Sequence, residues 1–166
     1  MLSFRNTIDT GDIEVIRQML SGTGFFEEAP DEIDVAIELA QIAIAKNNTG
    51  DYLFFFAEES GVVKGYACYG KAACTIATWE LYWLCTDVKY QGEGIGKQVI
   101  GELIRRIVAQ GGKKLVVQTA GRVQYLPTQK FYESLGFELE GRLKDYYIEG
   151  DDALIYSKSL SLPNGR

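Results

Sequence analysis

Three glycines, Gly92, Gly94 and Gly96, alternate with other residues directly before the most regular amphipathic pattern of the chain. Glycine adopts positive φ readily and lets a ligand approach the main chain closely. The first N–H groups of a helix have no partner within the helix, and the helix dipole is positive at that end. This segment therefore predicts a site for a phosphate or pyrophosphate group.

Two common phosphate-binding loops do not fit this spacing. A P-loop ending at Gly96-Lys97 requires glycine at position 91 and serine or threonine at position 98, where the sequence has Gln91 and Gln98. A dinucleotide fingerprint beginning at Gly92 requires glycine at position 97, which is Lys97. Both are excluded.

The groups that can move protons are limited, because the sequence contains no histidine. This excludes Ser-His-Asp and Cys-His relays and any histidine-ligated metal. Cys68, Cys74 and Cys85 form no CxxC pair, so we expect reduced thiols in a cytoplasm and neither a metal site nor a disulfide framework. Proton transfer must use a carboxylate, tyrosine, cysteine, lysine or water.

The glycine segment resembles the acyl-CoA pyrophosphate loop of the GNAT superfamily of N-acetyltransferases. The family motif is Arg/Gln-x-x-Gly-x-Gly/Ala, which Gln91, Gly94 and Gly96 match. Residues 131–137, Phe-Tyr-Glu-Ser-Leu-Gly-Phe, look like the Phe-Tyr-x-x-x-Gly-Phe signature that follows this loop in the family. Two motifs in the expected order are more specific than one.

The resemblance implies a fold, a cofactor and the residues that hold it. The fold is α/β (mixed α+β), with a mostly antiparallel sheet of about six or seven strands, about four helices, and one parallel pair, the fourth and fifth strands, splayed for coenzyme A. The cofactor is acetyl-CoA, whose pantetheine arm pairs with the backbone of residues 85–88. The implied cofactor-binding residues are Thr86, Asp87, Val88, Gln91, Gly92, Glu93, Gly94, Ile95, Gly96, Lys97 and Phe131.

The resemblance also implies catalytic roles. Tyr132, the tyrosine of the second motif, would protonate the departing thiolate, and Glu80 stands where several family members carry a carboxylate base. Trp79 and Trp83 are expected to desolvate the Glu80 carboxyl. Backbone N–H groups of residues 84–86 would polarise the thioester carbonyl.

Other groups compete for these roles. Asp87, Tyr82 and a water chain are alternatives for the base. Cys85 is an alternative as an acyl-carrying nucleophile, although buried cysteine is usually inert.

The expected reaction is direct attack of a primary amine, on a small molecule or a peptide, on acetyl-CoA. The alternatives are a coenzyme A sensor or scaffold without chemistry, and transfer of another acyl group. Residues expected on the acceptor side are acidic and aromatic, which suits a cationic acceptor, although charged loops are ordinarily only solvated. They are Phe25, Phe26, Glu27, Glu28, Asp31, Asp145, Tyr146, Tyr147, Glu149, Asp151 and Asp152.

Hydrophobic periodicity predicts the elements that position these residues. Helices are expected over residues 11–21, 30–46, 95–108 and 127–135, and strands over 2–5, 52–58, 62–69, 75–88, 115–119, 137–148 and 153–160. The helix over 95–108 joins two strands that are expected to be parallel neighbours.

Composition limits the class of protein. The chain has 166 residues, 46% of them apolar, and a net charge of −6, which favours one soluble domain over residues 1–166 without a nucleic-acid partner. No apolar run approaches the roughly 20 residues of a membrane span, and the N-terminus lacks a signal-peptide layout, so we expect a cytoplasmic protein and no membrane partner. Homodimers are common in the resembled family, and the sequence does not choose an oligomeric state.

Overall fold

The computed structural model describes residues 1–27 and 30–160. Within these residues the strands lie in one sheet in the order β1-β2-β3-β4-β5-β7-β6. β4 and β5 pair in parallel, whereas β1–β2, β2–β3, β5–β7 and β6–β7 pair antiparallel. The predicted mixed sheet with its parallel pair is confirmed. The elements are β1 (Ser3–Arg5), α1 (Thr10–Gly22), α2 (Asp31–Ala45), β2 (Leu53–Glu59), β3 (Val62–Lys71), β4 (Thr78–Thr86), α3 (Ile95–Ala109), β5 (Lys114–Ala120), α4 (Leu126–Ser134), β6 (Glu138–Ile148) and β7 (Asp151–Ser159).

The described residues group into two compact units. The first contains Met1–Gly70 and Tyr82–Leu103, and the second contains Lys71–Leu81 and the chain from Ile104 onward. A single domain over residues 1–166 stays a prediction, and residues 161–166 of that range lie outside the described residues. No helix in the described part of the chain is both long enough and apolar enough to cross a membrane.

In the first unit, α1 begins one residue earlier than its sequence pattern indicates. Asp9 is the N-cap, accepting from Gly11 N at 2.8 Å, while Asp12 Oδ2 accepts from Asp9 N at 2.9 Å. This reciprocal arrangement satisfies N–H groups that a helix start leaves unpaired. Arg5 of β1 donates to both Asp12 oxygens, at 2.7 and 3.0 Å, and to Glu58 of β2 at 2.7 Å. The start of α1 is thereby fixed to two strands.

The core of the first unit is built from the apolar stripes of α1 and α2 and one face of β2 and β3. The rings of Phe54, Phe56 and Tyr66 lie within about 6.4 Å of one another, centroid to centroid. α2 ends at Ala45, one residue before the predicted end, and Asn47 and Asn48 beyond it adopt positive φ. The buried residues of this core are Ile16, Met19, Leu20, Phe26, Ile33, Ala36, Ile37, Ala40, Ala43, Phe54, Phe56, Tyr66, Cys68 and Cys85.

In the second unit, the junction between α3 and β5 is closely packed. Gly111 (φ +79°) ends the helix, and a Cβ at Gly112 would lie 2.2 Å from Ile107 Cγ2 and 2.7 Å from Trp79 Nε1. Only glycine fits there. β5 then pairs with β7, and the β6–β7 hairpin turns at Glu149-Gly150, so β7 begins earlier, at Asp151, than the predicted residue 153.

β4 is shorter at both ends than the predicted strand over residues 75–88. Before it, Thr75 N donates to Ala72 O and Cys74 has φ +60°, which makes a turn. After it, the Asp87 side chain accepts from Lys89 N at 2.9 Å and caps a 3-10 turn, Val88–Tyr90. The strand prediction was wrong for residues 75–77, which follow the turn at Cys74, and for residues 87–88, where the local cap competes with the extended conformation.

Candidate functional site

The glycine loop that precedes α3 has an open main chain. Gly92 and Gly94 have φ of +83° and +78°, and a Cβ built at either would meet no heavy atom of the described residues within 4 Å. Positive φ favours glycine, which explains these residues locally. A side chain at either position would fill space beside the backbone that a ligand can occupy.

The first turn of α3 directs backbone donors toward this loop. Gln98 N donates to Gly94 O at 3.2 Å, so the N–H groups of Ile95, Gly96 and Lys97 belong to the turn that helix geometry leaves without intrahelical acceptors. Ile95 is buried and anchors the turn. Gly65 of β3 makes room for it, because a Cβ there would lie 3.2 Å from Ile95 Cγ2 and 3.0 Å from Cys85 O.

These features fit the diphosphate of a coenzyme A derivative. Gln91, Gly92, Glu93 and Gly94 are exposed, and so is the cationic side chain of Lys97. The positive end of α3 favours an anion, and the open space at the two glycines leaves room for one. The predicted cofactor-binding residues from Thr86 to Lys97 are thus contiguous in the first unit, whereas Phe131 belongs to the second unit.

The predicted pantetheine-binding edge, residues 85–88, is only partly extended. Thr86 ends β4, and Asp87 N donates to Lys64 O at 3.0 Å on the β3 side. Val88 lies in the 3-10 turn and is 44% exposed. An added strand would therefore have the backbone up to Thr86 available, and not the full predicted edge.

Cys85 is poorly suited to carry an acyl group. It is buried, and desolvation raises the pKa of its thiol to about 12. The thiolate is the nucleophilic form, and little of it forms near neutral pH at such a pKa.

Tyr132 lies on α4 in the second unit and is 4% exposed. Its ring makes T-shaped contacts with the rings of Phe131 and Phe137, and each pair of ring centroids is 5.3 Å apart. Phe137 N donates to Tyr132 O at 3.1 Å, past Gly136 at φ +80°, which closes the helix. Burial raises the pKa of the Tyr132 hydroxyl well above its ordinary value, so the group stays protonated near neutral pH.

Glu80 is half-buried in β4 and stands beside Val116 of β5 in the parallel register. Trp79 does not desolvate it, because successive strand residues point to opposite faces and the Trp79 indole lies against Gly112. This part of the sequence expectation was wrong. Trp83 belongs to the first unit, where its ring lies 5.6 Å from that of Phe26.

The alternative bases are engaged elsewhere. The Asp87 carboxylate caps the 3-10 turn through Lys89 N. The Tyr82 ring packs against Tyr52 with centroids 5.3 Å apart. Neither observation favours them over Glu80.

The acidic residues of the β6–β7 hairpin organise the hairpin itself. Asp152 accepts from Arg142 at 2.8 Å and from Asp145 N at 2.9 Å, and Asp145 accepts from Gly150 N at 2.7 Å. Asp151 is buried and accepts from Arg122 N at 3.2 Å. These contacts weaken the case for a cationic acceptor. Glu28, predicted on the acceptor side, lies outside the described residues.

One residue beside the loop was missed by the sequence reasoning. Lys64 of β3 reaches Glu93 and Tyr90, at 3.8 Å from Glu93 Oε2 and 4.5 Å from the Tyr90 ring centroid. The lysine and the loop are brought together by the pairing of β3 with the end of β4. No local pattern in the sequence encodes that alignment.

Comparison with known proteins places this geometry in a family context. A family model described as an acetyltransferase (GNAT) domain matches residues 50–139. The chain is 30% identical over 110 residues to the N-alpha-acetyltransferase RimI of Mycobacterium tuberculosis, covering 65% of this chain and 66% of that one. It is also 30% identical over 97 residues to N-alpha-acetyltransferase 30 of Xenopus laevis, covering 54% of this chain and 35% of the relative. The chain thus spans about a third to two thirds of the length of these curated relatives.

A solved structure gives a more extensive match. A protein of Desulfovibrio desulfuricans assigned to the GNAT family of acetyltransferases superimposes with a TM-score of 0.92 at 35% identity, over 97% of this chain and all of that one. The fold is therefore similar to that of a protein of this acetyltransferase family along nearly the whole chain.

Proposed function

Because this chain belongs to the GNAT family of acetyltransferases, we propose that it transfers an acetyl group from acetyl-CoA to a primary amine. The observation that carries the proposal is the loop at the start of α3, where Gly92 and Gly94 leave the main chain open beside unpaired helix donors. The N–H groups of Ile95, Gly96 and Lys97 beside the open glycines would hold the diphosphate, and the β4 backbone up to Thr86 would align the pantetheine arm. When bound, acetyl-CoA supplies the acetyl group as a thioester.

Tyr132 holds the proton that the leaving sulfur requires. Its burial keeps the hydroxyl neutral, and the packing of Phe131 and Phe137 fixes the ring. As the amine nitrogen bonds to the acetyl carbon and the carbon–sulfur bond breaks, Tyr132 gives its proton to sulfur. Glu80 takes the proton that the amine loses, directly or through a water, so the charges balance.

The acceptor is a primary amine on a peptide or a small molecule, and a peptide N-terminus is the first class to test. Two relatives are named N-alpha-acetyltransferases, which supports testing a peptide N-terminus first. We further propose that the reaction takes place in the cytoplasm, which the free Cys74 thiol at the surface supports.

The test is an acetylation assay with acetyl-CoA and a panel of peptide and small-molecule amines, followed by thiol release and by mass spectrometry of the acceptor. Tyr132→Phe is expected to lower kcat by about 10²-fold, the lower range for loss of a general acid, while the affinity for acetyl-CoA stays the same. Tyr156→Phe, at another buried tyrosine of the second unit, is the matched control.

Two outcomes would overturn the proposal. Binding of acetyl-CoA without thiol release on any amine would favour a coenzyme A sensor. Turnover by Tyr132→Phe at the wild-type rate would remove Tyr132 from the chemistry.

A further inference from the structure

Lys64 lies at the junction of three groups in the first unit. Its Nζ is 2.6 Å from Glu59 Oε2 and 3.8 Å from Glu93 Oε2, and it lies 4.5 Å from the centroid of the Tyr90 ring. The side chain is only 14% exposed, so its position is restricted. One ammonium thus contacts the β2–β3 turn region and two residues beside the glycine loop.

The main chain of Lys64 holds the same segment. Lys64 O accepts from Asp87 N at 3.0 Å, Tyr90 N donates to Asp87 O at 2.9 Å, and Glu93 N donates to Tyr90 O at 3.3 Å. These bonds form a continuous path from β3 into the loop. The Lys64 side chain closes that path by contacting Tyr90 and Glu93 directly.

The positive charge of Lys64 lies close to the negative charge of Glu93. This carboxylate is 53% exposed and lies between Gly92 and Gly94, in the segment proposed to hold a diphosphate. Two like charges at short range repel, and the repulsion is stronger near a protein surface than in bulk water. A cation within 4 Å of the carboxylate offsets this repulsion.

We propose that Lys64 is a positioning residue for acetyl-CoA, which pairs with the Glu93 carboxylate and holds the turn over residues 90–93 so that the loop accepts an anionic diphosphate. The inference rests on the proposed function, because it takes the glycine loop as the diphosphate site. Glu59 orients the lysine through its 2.6 Å contact. A purely structural lysine would stabilise the β2–β3 turn region through Glu59 and leave affinity for the cofactor unchanged.

The test is a double-mutant cycle on acetyl-CoA affinity, measured by calorimetry. Lys64→Met is expected to weaken binding about tenfold, since it removes the pairing of Glu93 and the support of the turn. In Lys64→Met/Glu93→Gln the repulsion is absent, and affinity is expected to return to within about threefold of wild type. Lys64→Arg, which keeps the charge, is also expected to bind nearly as wild type.

The matched control is Lys46→Met, which removes a lysine from another ion pair of the first unit, at 3.8 Å from Asp51. Its affinity for acetyl-CoA is expected to equal that of the wild type. Glu93→Gln alone gives an arm that does not depend on the folding of a Lys64 variant. This variant completes the cycle, and removing the carboxylate is expected to change the affinity less in the wild-type background than in Lys64→Met, because only the former has the lysine 3.8 Å from Glu93.

A second readout needs no cofactor. Hydrogen exchange of the amides of residues 90–98 is expected to be faster in Lys64→Met than in wild type or Lys46→Met, because the loop loses its side-chain support.

The possible results distinguish a failure of the proposed function from a failure of the proposed role of Lys64. If wild-type protein does not bind acetyl-CoA, the proposed function fails. If wild type binds and Lys64→Met binds equally well, or if the double variant stays as weak as Lys64→Met, the role of Lys64 is refuted. Several-fold tighter binding by Glu93→Gln would also refute it, since Glu93 would then be unneutralised in the native protein.

Discussion

Replacement of Gly94 by alanine separates the ligand-binding role of the loop from its structural cost. Gly94 has φ +78°, and a Cβ there would meet none of the described atoms within 4 Å. The protein therefore accommodates the methyl group without a clash. The space it fills is the space we assign to the diphosphate.

The structural cost follows from the backbone angle. A residue with a Cβ in the left-handed region is disfavoured by about 1–2 kcal/mol. For a chain of this length that corresponds to a fall in Tm of about 3–6 °C. The loss of affinity for acetyl-CoA is expected to exceed tenfold, or about 1.4 kcal/mol, because the methyl group blocks close approach to the main chain.

Gly111 provides a matched control, with φ +79° and equally open surroundings at the end of α3. Gly111→Ala is expected to lower Tm by the same amount and to leave the affinity for acetyl-CoA unchanged. Thermal unfolding and calorimetry on both variants make the comparison. Equal affinity of the two variants would refute the assignment of the loop as the diphosphate site.

Three further changes test other parts of the structure. Glu80→Gln is expected to lower kcat/KM by about 10²-fold if Glu80 is the base, measured by steady-state kinetics. Arg5→Ala leaves the buried Asp12 carboxylate without its guanidinium and is expected to cost about 3 kcal/mol in urea unfolding. The hydrogen bond from Lys64 lowers the pKa of Glu59 to about 2, so Glu59 stabilises the fold above pH 4.5 and this contribution is lost as the pH falls from 4.5 to about 2. Glu59→Gln should therefore reduce the slope of unfolding free energy against pH in that window.

The first two of these changes have matched controls. Glu138→Gln, at an exposed carboxylate of β6, should keep full activity. Arg17→Ala, whose ion pair with Asp34 is solvent-exposed at 3.5 Å, should change stability by less than about 1 kcal/mol. Wild-type kinetics in Glu80→Gln, wild-type stability in Arg5→Ala, or an unchanged pH slope in Glu59→Gln would contradict the respective prediction.

Much of the fold could be predicted because one-sided burial leaves a period in the sequence. The observed helix Ile95–Ala109 agrees with the predicted 95–108. Five of the seven apolar residues of its pattern are buried and two, Ile104 and Val108, are partly buried; the buried ones are Ile95, Val99, Ile100, Leu103 and Ile107. The ends of β4 could not be predicted in this way. They depend on a turn at Cys74 and on the Asp87 cap, which strand propensity does not register.

The candidate site could likewise be predicted only in part from the sequence. The open loop could be predicted, because glycines that alternate with other residues directly before a helix indicate positive φ and an accessible main chain. The contact of Lys64 with Glu93 could not, since it follows from strand pairing between distant segments. The face occupied by Trp79 was likewise hidden, because side-chain direction in a strand depends on its register within the sheet.

In a chain without histidine, burial decides which groups can give a proton and which can take one. Desolvation raises the pKa of Tyr132 and of Cys85, so both stay protonated near neutral pH. Neither group can then accept a proton from an amine, whereas Tyr132 can donate one to a thiolate, which is formed at the moment of bond breaking. The acceptor of the amine proton must therefore be a carboxylate or water, and among the carboxylates considered only Glu80 is free of a capping role in the loop. On this basis we propose Tyr132 as the group that gives a proton to the leaving sulfur and Glu80, directly or through a water, as the group that takes one from the amine.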